Sequence, residues 1–310
     1  MHSMLVFSRI RMLAFLLGAL SLFFDPLLAQ NTNTLTPEAT SPTRPVTGQG
    51  GMVATQEAHA TRAALEVLAE GGNAVDAAVT AGFTLAVTLP RAGNLGGGGF
   101  MLMHLAGENR QLALDYREKA PAAAHRDMFL TKEGALDPRL SRYTRMASGV
   151  PGTVRGLAHA LHHYGTIPLQ RALAPAIKLA ADGFVVGQDL HHSLKSCADD
   201  LRADSEARRI FLDPGGKAWP VGSTLVQKDL ARSLRLLSNK GPDAFYLGDI
   251  ASRIHRDMSA QGGLITRKDL ADYRTVERKP VKGYYRGWKI MSMPPPSSGG
   301  LHLVQMLNIM

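Results

Sequence analysis

The sequence predicts an α+β fold, and three patterns in it point to that class. Residues 74–88 are apolar on nearly every side and follow Asn73, which is typical of the start of a buried helix. Residues 100–104 and 111–115 are short apolar runs separated by a polar turn, as in a pair of strands. Between residues 151 and 273 the apolar spacing is mainly helical.

The first 29 residues predict an export signal. Arg9 and Arg11 form a basic segment, residues 12–24 form an apolar core, and residues 27–29 offer a cleavage site. The alternative is a membrane anchor, but about 13 apolar residues are too few for the roughly 20 that a spanning helix requires. We therefore expect a periplasmic or secreted protein that has no membrane span once residues 1–29 are removed.

A flexible linker and one domain are predicted to follow. Residues 30–48 are rich in Thr, Asn and Pro and contain almost no large apolar side chains, which predicts a linker before a domain at residues 49–310.

Thr55 is predicted to cap the first helix of that domain, with Glu57 in the first turn and a pair of glycines at the end.

Helical segments and one hairpin are predicted in the rest of the domain. The hairpin is predicted at residues 281–285 and 288–293, with its turn at Arg286 and Gly287, and it precedes a loop rich in Pro and Ser. The chain then begins an amphipathic helix. Further helices are predicted at residues 156–164, 169–182, 225–239 and 242–261 and around Leu270.

The composition excludes two classes of function. The net charge is +9, but Lys and Arg are scattered and aromatic residues make up only 6%, so the chain offers no platform on which bases could stack. The one cysteine, Cys197, cannot form an internal disulfide, and Asp199 and Asp200 are expected to raise the pKa of its thiol. We therefore expect neither a nucleic-acid partner nor a cysteine nucleophile.

Four successive glycines at residues 96–99 invite comparison with phosphate-binding loops. A Walker loop requires Gly-Lys-Ser or Gly-Lys-Thr, but Phe100 follows Gly99 here. A dinucleotide-binding loop requires a strand before it and a helix after it, and the predicted order is the reverse. The glycines are therefore expected to allow close packing of a turn against a helix.

Arg117 is the main candidate for a binding residue. It follows a predicted strand in the run at residues 115–121, and its planar guanidinium can bind a carboxylate through two hydrogen bonds. The alternative is an ion pair with Asp115 or Glu118 at the surface, and the local residues by themselves favour that alternative.

A histidine cluster raises the question of a metal site. His159 and His163 have the i, i+4 spacing of a metal-binding pair, with His162 beside them. The intervening positions lack the Glu of an HExxH motif, and His191 and His192 are distant in the sequence. We expect no metal site there. The serines at 297 and 298 lack a nucleophile elbow and are predicted to be loop residues.

Six runs in this chain resemble the N-terminal part of the γ-glutamyltranspeptidase (glutathione hydrolase) precursors. The resemblance extends from Gly51 to Met310, which is the whole predicted domain but only about the first half of such a precursor. The runs occur in family order, at residues 70–78, 93–102, 127–129, 148–153, 262–266 and 293–300.

The resemblance implies an N-terminal-nucleophile hydrolase fold, a four-layer αββα sandwich of which this chain supplies the N-terminal portion. It implies a precursor that cleaves itself before a threonine, whose freed amino group then serves as the base for its own hydroxyl. The threonine takes the γ-glutamyl group of glutathione and passes it to water, amino acids or peptides, without a metal or organic cofactor. Arg117 matches the family arginine that holds the substrate α-carboxylate.

The nucleophile itself is missing from this chain. No Thr-Thr-His-Tyr-type cleavage site occurs among the 310 residues, so no catalytic residue is assigned and the chain alone is expected to be inactive. Its expected partners are γ-glutamyl compounds and the small subunit formed by the C-terminal half. The end at Met310, within an apolar helix, favours a truncated enzyme over the alternative, a non-catalytic or vestigial exported γ-glutamyl-binding protein. Such a fragment is expected to expose apolar surface.

Overall fold

Helices and short antiparallel strands make up residues 47–310, which are the residues that the computed structural model describes. Residues 49–310 form one unit, and the predicted export signal and most of the predicted linker lie outside the described residues. The strands are β1 Phe100–Leu105, β2 Arg110–Asp115, β3 Phe184–Val185, β4 Thr224–Leu225, β5 Val276–Arg278, β6 Val281–Tyr285 and β7 Trp288–Ser292.

Helices make up about half of residues 47–310. Two short 3-10 helices, Ala106–Glu108 and Arg145–Ala147, supplement the α-helices. The α-helices are α1 Ala58–Ala69, α2 Ala74–Thr88, α3 Leu140–Tyr143, α4 Thr153–Tyr164, α5 Leu169–Asp182, α6 Gln188–Ser196, α7 Ala198–Ala203, α8 Ser205–Phe211, α9 Lys228–Lys240, α10 Asp243–Tyr246, α11 Asp249–Ala260, α12 Arg267–Asp272 and α13 Gly299–Ile309.

Three strands form the sheet that carries the candidate binding residue. β1 pairs antiparallel with β2, and β2 pairs antiparallel with β5, which gives the order β1-β2-β5. The β1–β2 pair was predicted from the sequence. β5 was not predicted, because three residues of which two are charged carry no strand pattern of their own.

Helix α2 lies at the centre of the core. Val79, Phe83 and Val87 are buried on it, and it packs against α1, α4 and α5. Leu112 and Leu114 of β2 join the same apolar cluster. A helix that is apolar all round must be covered on every side, and the predicted burial of residues 74–88 is found in the structure.

The N-terminal caps of the first two helices differ in how well the local sequence predicts them. Asn73 caps α2 as predicted, and it forms a capping box with Asp76. The predicted cap at Thr55 was wrong, because Glu57 is the N-cap of α1 and its carboxylate accepts the backbone N–H groups of His59 and Ala60. The longer side chain of Glu57 also reaches the hydroxyl of Thr88 at 2.8 Å, which holds it over the first turn of α1.

Asp76 connects α2 to the turn between α4 and α5. Its side chain is buried, and its carboxylate accepts hydrogen bonds from Asn73 N, Thr166 N, Thr166 Oγ1 and Ile167 N at 2.6–3.3 Å. Burial alone would raise the pKa of this carboxyl, but these hydrogen bonds outweigh burial and lower the pKa below its ordinary value of 3.8.

The apolar terminal surface, which consists of the β6–β7 hairpin and α13, ends the described chain. The hairpin turns at Arg286 (φ 48°) and Gly287 (φ 83°), as predicted, and α13 packs against both strands. Its large apolar side chains remain strongly exposed, with Trp288 75%, Met306 56% and Ile309 86% exposed. This finding agrees with the expectation that the chain exposes apolar surface. Within residues 47–310, no helix is long and apolar enough to span a bilayer.

We expect the Asp76→Ala substitution to lower the free energy of unfolding of residues 49–310 at pH 7 by about 2–4 kcal/mol, because four hydrogen-bond donors lose their charged acceptor. A depressed carboxyl pKa stabilises the fold above the unfolded-state value, and this stability is lost as the pH falls through the folded-state pKa. The difference between the two proteins should therefore shrink below about pH 4. Urea unfolding at several pH values measures it.

The control for this substitution is Asp182→Ala, which removes an exposed carboxylate that pairs with Lys178 within α5. It should change the unfolding midpoint much less than Asp76→Ala, because an exposed ion pair is screened by solvent. Equal effects of the two substitutions, or an Asp76 effect that does not change with pH, would contradict the role given to Asp76.

We expect Met306→Glu to reduce the binding of an apolar fluorescent dye to the isolated chain and to improve its solubility, because the side chain lies in the apolar terminal surface. The control is Leu136→Glu, which alters a 68% exposed side chain in a separate loop. Dye fluorescence and sedimentation measure both effects. Equal changes from the two variants would show that this surface is not a distinct site of association.

Candidate functional site

The glycine run packs around the end of strand β2. Gly99 and Tyr116 exchange two backbone hydrogen bonds, at 3.2 and 3.0 Å. The carbonyl oxygen of Gly97 accepts the backbone N–H groups of Gly152 and Thr153, at 2.7 and 3.0 Å. One loop therefore joins the end of β2 to the start of α4.

This packing leaves no room for a side chain on Gly98 or Gly99. A Cβ on Gly98 would lie 2.5 Å from the carbonyl oxygen of Tyr116 and 2.7 Å from the backbone nitrogen of Glu118. A Cβ on Gly99 would lie 2.9 Å from the Tyr116 ring, and Gly152 and Gly156 are equally tight against Tyr116. The predicted close packing is therefore found, although the turn packs against the strand end as well as the helix.

Tyr116 fills the space between the glycine loop and α4. Its ring is largely enclosed, and burial raises the pKa of its hydroxyl to about 12. The side chain therefore stays neutral at physiological pH. Tyr116 packs between the loop and the helix directly before Arg117. This packing fixes the point at which the chain leaves the sheet.

Arg117 is exposed and its backbone is held at both ends. Its N–H donates to Asp115 Oδ1 at 3.0 Å, and its carbonyl oxygen accepts the hydroxyl of Tyr273 at 2.9 Å. Its guanidinium Nη1 donates to the carbonyl oxygen of Pro296 at 3.2 Å. Pro296 belongs to the predicted Pro-rich loop, which lies 179 positions further along the chain.

The ion-pair alternative for Arg117 is wrong. The carboxylate of Asp115 pairs with Arg278 at 2.9 Å, and Glu118 forms no ion pair with Arg117. Among residues 47–310 the guanidinium of Arg117 has no acidic partner within 4.0 Å. An exposed guanidinium with one neutral acceptor retains donors that can bind a carboxylate.

The histidine cluster lies on α4 and serves the contact between α4 and β5. His159 Nε2 lies 3.1 Å from Glu277 Oε1, and His159 Nδ1 lies 3.3 Å from Thr275 Oγ1. The rings of His159 and His163 lie 4.3 Å apart, and burial together with the charges of His159 and His162 lowers the pKa of His163. In the part of the chain that the structure describes, no group of three or more metal-binding side chains is assembled.

Two further features lie apart from Arg117. Cys197 donates its thiol to the carbonyl oxygen of Ser193 at 3.2 Å, and burial together with the charge of Asp200 raises its pKa, as expected of an unreactive thiol. A surface cavity of about 720 Å³ is lined by Arg155 and the three histidines and does not include Arg117.

Comparisons with known proteins identify the family. Residues 60–310 match the sequence model of the family described as gamma-glutamyltranspeptidase. The chain belongs to this family. It is 50% identical over 266 residues to the glutathione hydrolase proenzyme of Escherichia coli, covering 86% of this chain and 46% of that protein. The chain thus spans about half the length of the curated relatives it matches.

Solved structures of relatives confirm the predicted fold class. The γ-glutamyltranspeptidase of Helicobacter pylori superposes with a TM-score of 0.84 at 45% identity, covering 86% of this chain and 76% of that one. The transpeptidase CapD of Bacillus anthracis gives a TM-score of 0.71 at 33% identity, covering 84% of this chain and 82% of that one. Residues 47–310 are therefore a portion of the N-terminal-nucleophile hydrolase fold.

Three residues that are distant in the sequence and stabilise the position of Arg117 were not predicted. Tyr273, Arg278 and Pro296 contact Arg117 or Asp115, and each is more than 150 positions away along the chain. The one available signal was the position of Pro296 inside a run that resembles the family. Tyr273 and Arg278 carried no signal, because a Tyr and an Arg near a short helix are common surface residues.

We expect Gly98→Ala to destabilise residues 49–310 by about 1–3 kcal/mol, because the added methyl group meets backbone atoms that cannot move independently. Gly96→Ala is the matched control, since its Cβ would meet only Asn94 Oδ1, at 3.9 Å. Urea unfolding and limited proteolysis near residue 117 measure the difference. If Gly98→Ala is as stable and as resistant as Gly96→Ala, the close packing does not hold the strand end.

Proposed function

We propose that this chain is the N-terminal, large-subunit portion of a γ-glutamyltransferase and glutathione hydrolase. The proposed substrates are glutathione and other γ-glutamyl compounds. The family membership of residues 60–310 supports this, as does the 50% identity to a glutathione hydrolase proenzyme. The pattern at residues 1–29 supports a periplasmic or secreted location, where the substrate would be extracellular glutathione.

Arg117 is the proposed binding residue for the α-carboxylate of the γ-glutamyl group. The observation that carries this assignment is the exposed guanidinium of Arg117, which lacks an acidic partner among residues 47–310 while its backbone is held on both sides. A carboxylate that replaces the neutral Pro296 carbonyl would form charge-assisted hydrogen bonds, which are roughly twice as strong as neutral ones. Binding at this end would orient the γ-carbonyl for attack.

The reaction itself requires groups that the 310 residues do not contain. The proposed partner is a C-terminal portion, which supplies the threonine that appears on cleavage of the precursor. Its free amino group takes the hydroxyl proton while the oxygen attacks the γ-carbonyl, and it then gives that proton to the amine of cysteinylglycine as the C–N bond breaks. Water or an amine then attacks the acyl-enzyme and releases glutamate or a new γ-glutamyl compound. Arg117 holds the γ-glutamyl group in place through both steps.

A non-catalytic γ-glutamyl-binding protein is the second candidate function. One observation favours it, namely that residues of this chain alone hold the Arg117 backbone on both sides. The two candidates differ in what a C-terminal portion does. An enzyme portion gains self-cleavage and turnover when it is joined to that portion, whereas a binding protein gains neither.

We expect activity when residues 49–310 are followed by the C-terminal half of the E. coli glutathione hydrolase proenzyme, which we call the joined protein. In the joined protein, Arg117→Lys should lower kcat/KM for glutathione about tenfold and Arg117→Ala by up to a hundredfold or more, mainly through KM. Lys keeps the charge but loses the planar fork. Steady-state kinetics with glutathione and a γ-glutamyl anilide measure these effects.

The control in the joined protein is Arg126→Ala, which removes a 95% exposed arginine from a nearby loop. It should leave kcat/KM unchanged, and self-cleavage should proceed in all of these variants because it needs no bound carboxylate. If both Arg117 variants stay within about twofold of the parent, well short of a charge-assisted hydrogen bond, Arg117 does not bind the carboxylate. Residues 49–310 alone should give no turnover.

A further inference from the structure

The position of Arg117 is set through its backbone rather than its side chain. Within residues 47–310 its guanidinium makes one hydrogen bond, to Pro296, whereas both polar groups of its peptide backbone are engaged by buried side chains. Those two side chains are Asp115 and Tyr273, which are 7% and 2% exposed. The backbone of this exposed arginine is therefore fixed, which limits the positions that its guanidinium can occupy.

Asp115 is fixed by a second arginine. Its Oδ2 accepts Nε and Nη2 of Arg278, each at 2.9 Å, and its Oδ1 accepts the backbone N–H of Arg117 at 3.0 Å. The β2–β5 pairing brings the two residues together, since Asp115 lies opposite Val276 in that register. Asp115 is therefore held by Arg278 on one oxygen while its other oxygen holds the Arg117 backbone.

Tyr273 is fixed by its ring and retains its proton. The ring stacks on Tyr246 with centroids 5.8 Å apart, and Lys119 Nζ lies 5.2 Å from its centroid. Burial raises the pKa of Tyr273 strongly, and nearby Tyr246, Asp115 and Glu118 raise it further. The hydroxyl is therefore protonated and can donate to the Arg117 carbonyl oxygen across the physiological pH range.

We propose that Asp115 and Tyr273 are positioning residues that aim the Arg117 guanidinium at the substrate α-carboxylate. This inference rests on the proposed function of Arg117. A binding group that is held in place before the substrate arrives avoids the entropic cost of ordering it during binding. A shift of about 1 Å in a positioned group can cost about a hundredfold in rate. The two residues therefore tune how strongly the carboxylate is held.

The test uses Tyr273→Phe in the joined protein, because this substitution keeps the ring and removes only the hydroxyl. We expect KM for a γ-glutamyl anilide to rise about threefold to tenfold, as for one lost hydrogen bond, with kcat changed less than twofold. For the same anilide with its α-carboxylate converted to an amide, KM should not change, since the interaction that Tyr273 supports is then absent. Asp115→Asn should give the same pattern.

The matched control is Tyr246→Phe. Tyr246 is also buried, and its hydroxyl donates to Pro151 O and accepts the Arg155 N–H, each at 3.0 Å, without a bond to Arg117. It should leave KM for the acid donor unchanged. It also reports the effect of losing a buried tyrosine hydroxyl from this region.

The outcomes separate the inference from the proposed function. If Arg117→Lys lowers kcat/KM but Tyr273→Phe and Asp115→Asn leave KM unchanged, the inference is wrong and the proposed function stands. If the two variants raise KM equally for the acid and amide donors, their role is structural and the inference is also wrong. If Arg117→Lys itself has no effect, the proposed function fails first.

Discussion

The close approach of the glycine loop to the end of β2 is the contact on which the rest of the site depends. Gly98 lies against the backbone of residues 116–118, where no Cβ could be accommodated, and Gly97 ties the same loop to the start of α4. Because these glycines have no side chains, three backbone segments can pack against one another here. Even the methyl group of an alanine would prevent that contact. Arg117 leaves the sheet at that point, so its location follows from this packing.

Charge pairing then determines which arginine remains available. Two arginines, Arg117 and Arg278, lie near the single carboxylate of Asp115. The antiparallel pairing of β2 with β5 gives the carboxylate to Arg278, and Arg117 contributes only its backbone N–H. Arg117, two positions from Asp115, would have been the simpler partner, yet Arg278 from β5 pairs with the carboxylate. As a consequence, the exposed guanidinium of Arg117 has no acidic partner among residues 47–310.

The parts of the fold that the sequence predicted are those encoded by nearby residues. The cap at Asn73 and the turn at Arg286 and Gly287 depend on residues within four positions of one another, and both are found in the structure. β5 and the cap at Glu57 were missed, because each is stabilised by a distant partner. Glu57 reaches Thr88, and β5 exists as a strand through its pairing with β2.

The candidate site shows the same division. Arg117 was found from its motif, but local charges favoured an ion pair that the structure excludes. Its supports, Tyr273 and Pro296, come from segments 156 and 179 positions away, and no spacing rule connects them with residue 117. Long-range contacts of this kind depend on tertiary packing, which periodicity and propensity do not record.

The most direct test of this account is a crystal structure of the joined protein with bound glutamate. We expect the α-carboxylate to lie about 3 Å from the Arg117 guanidinium nitrogens and to displace the Pro296 carbonyl from them. The bonds from the Arg117 backbone to Asp115 and Tyr273 should be retained. Glutamate bound elsewhere, with the Arg117 guanidinium still on Pro296, would contradict it.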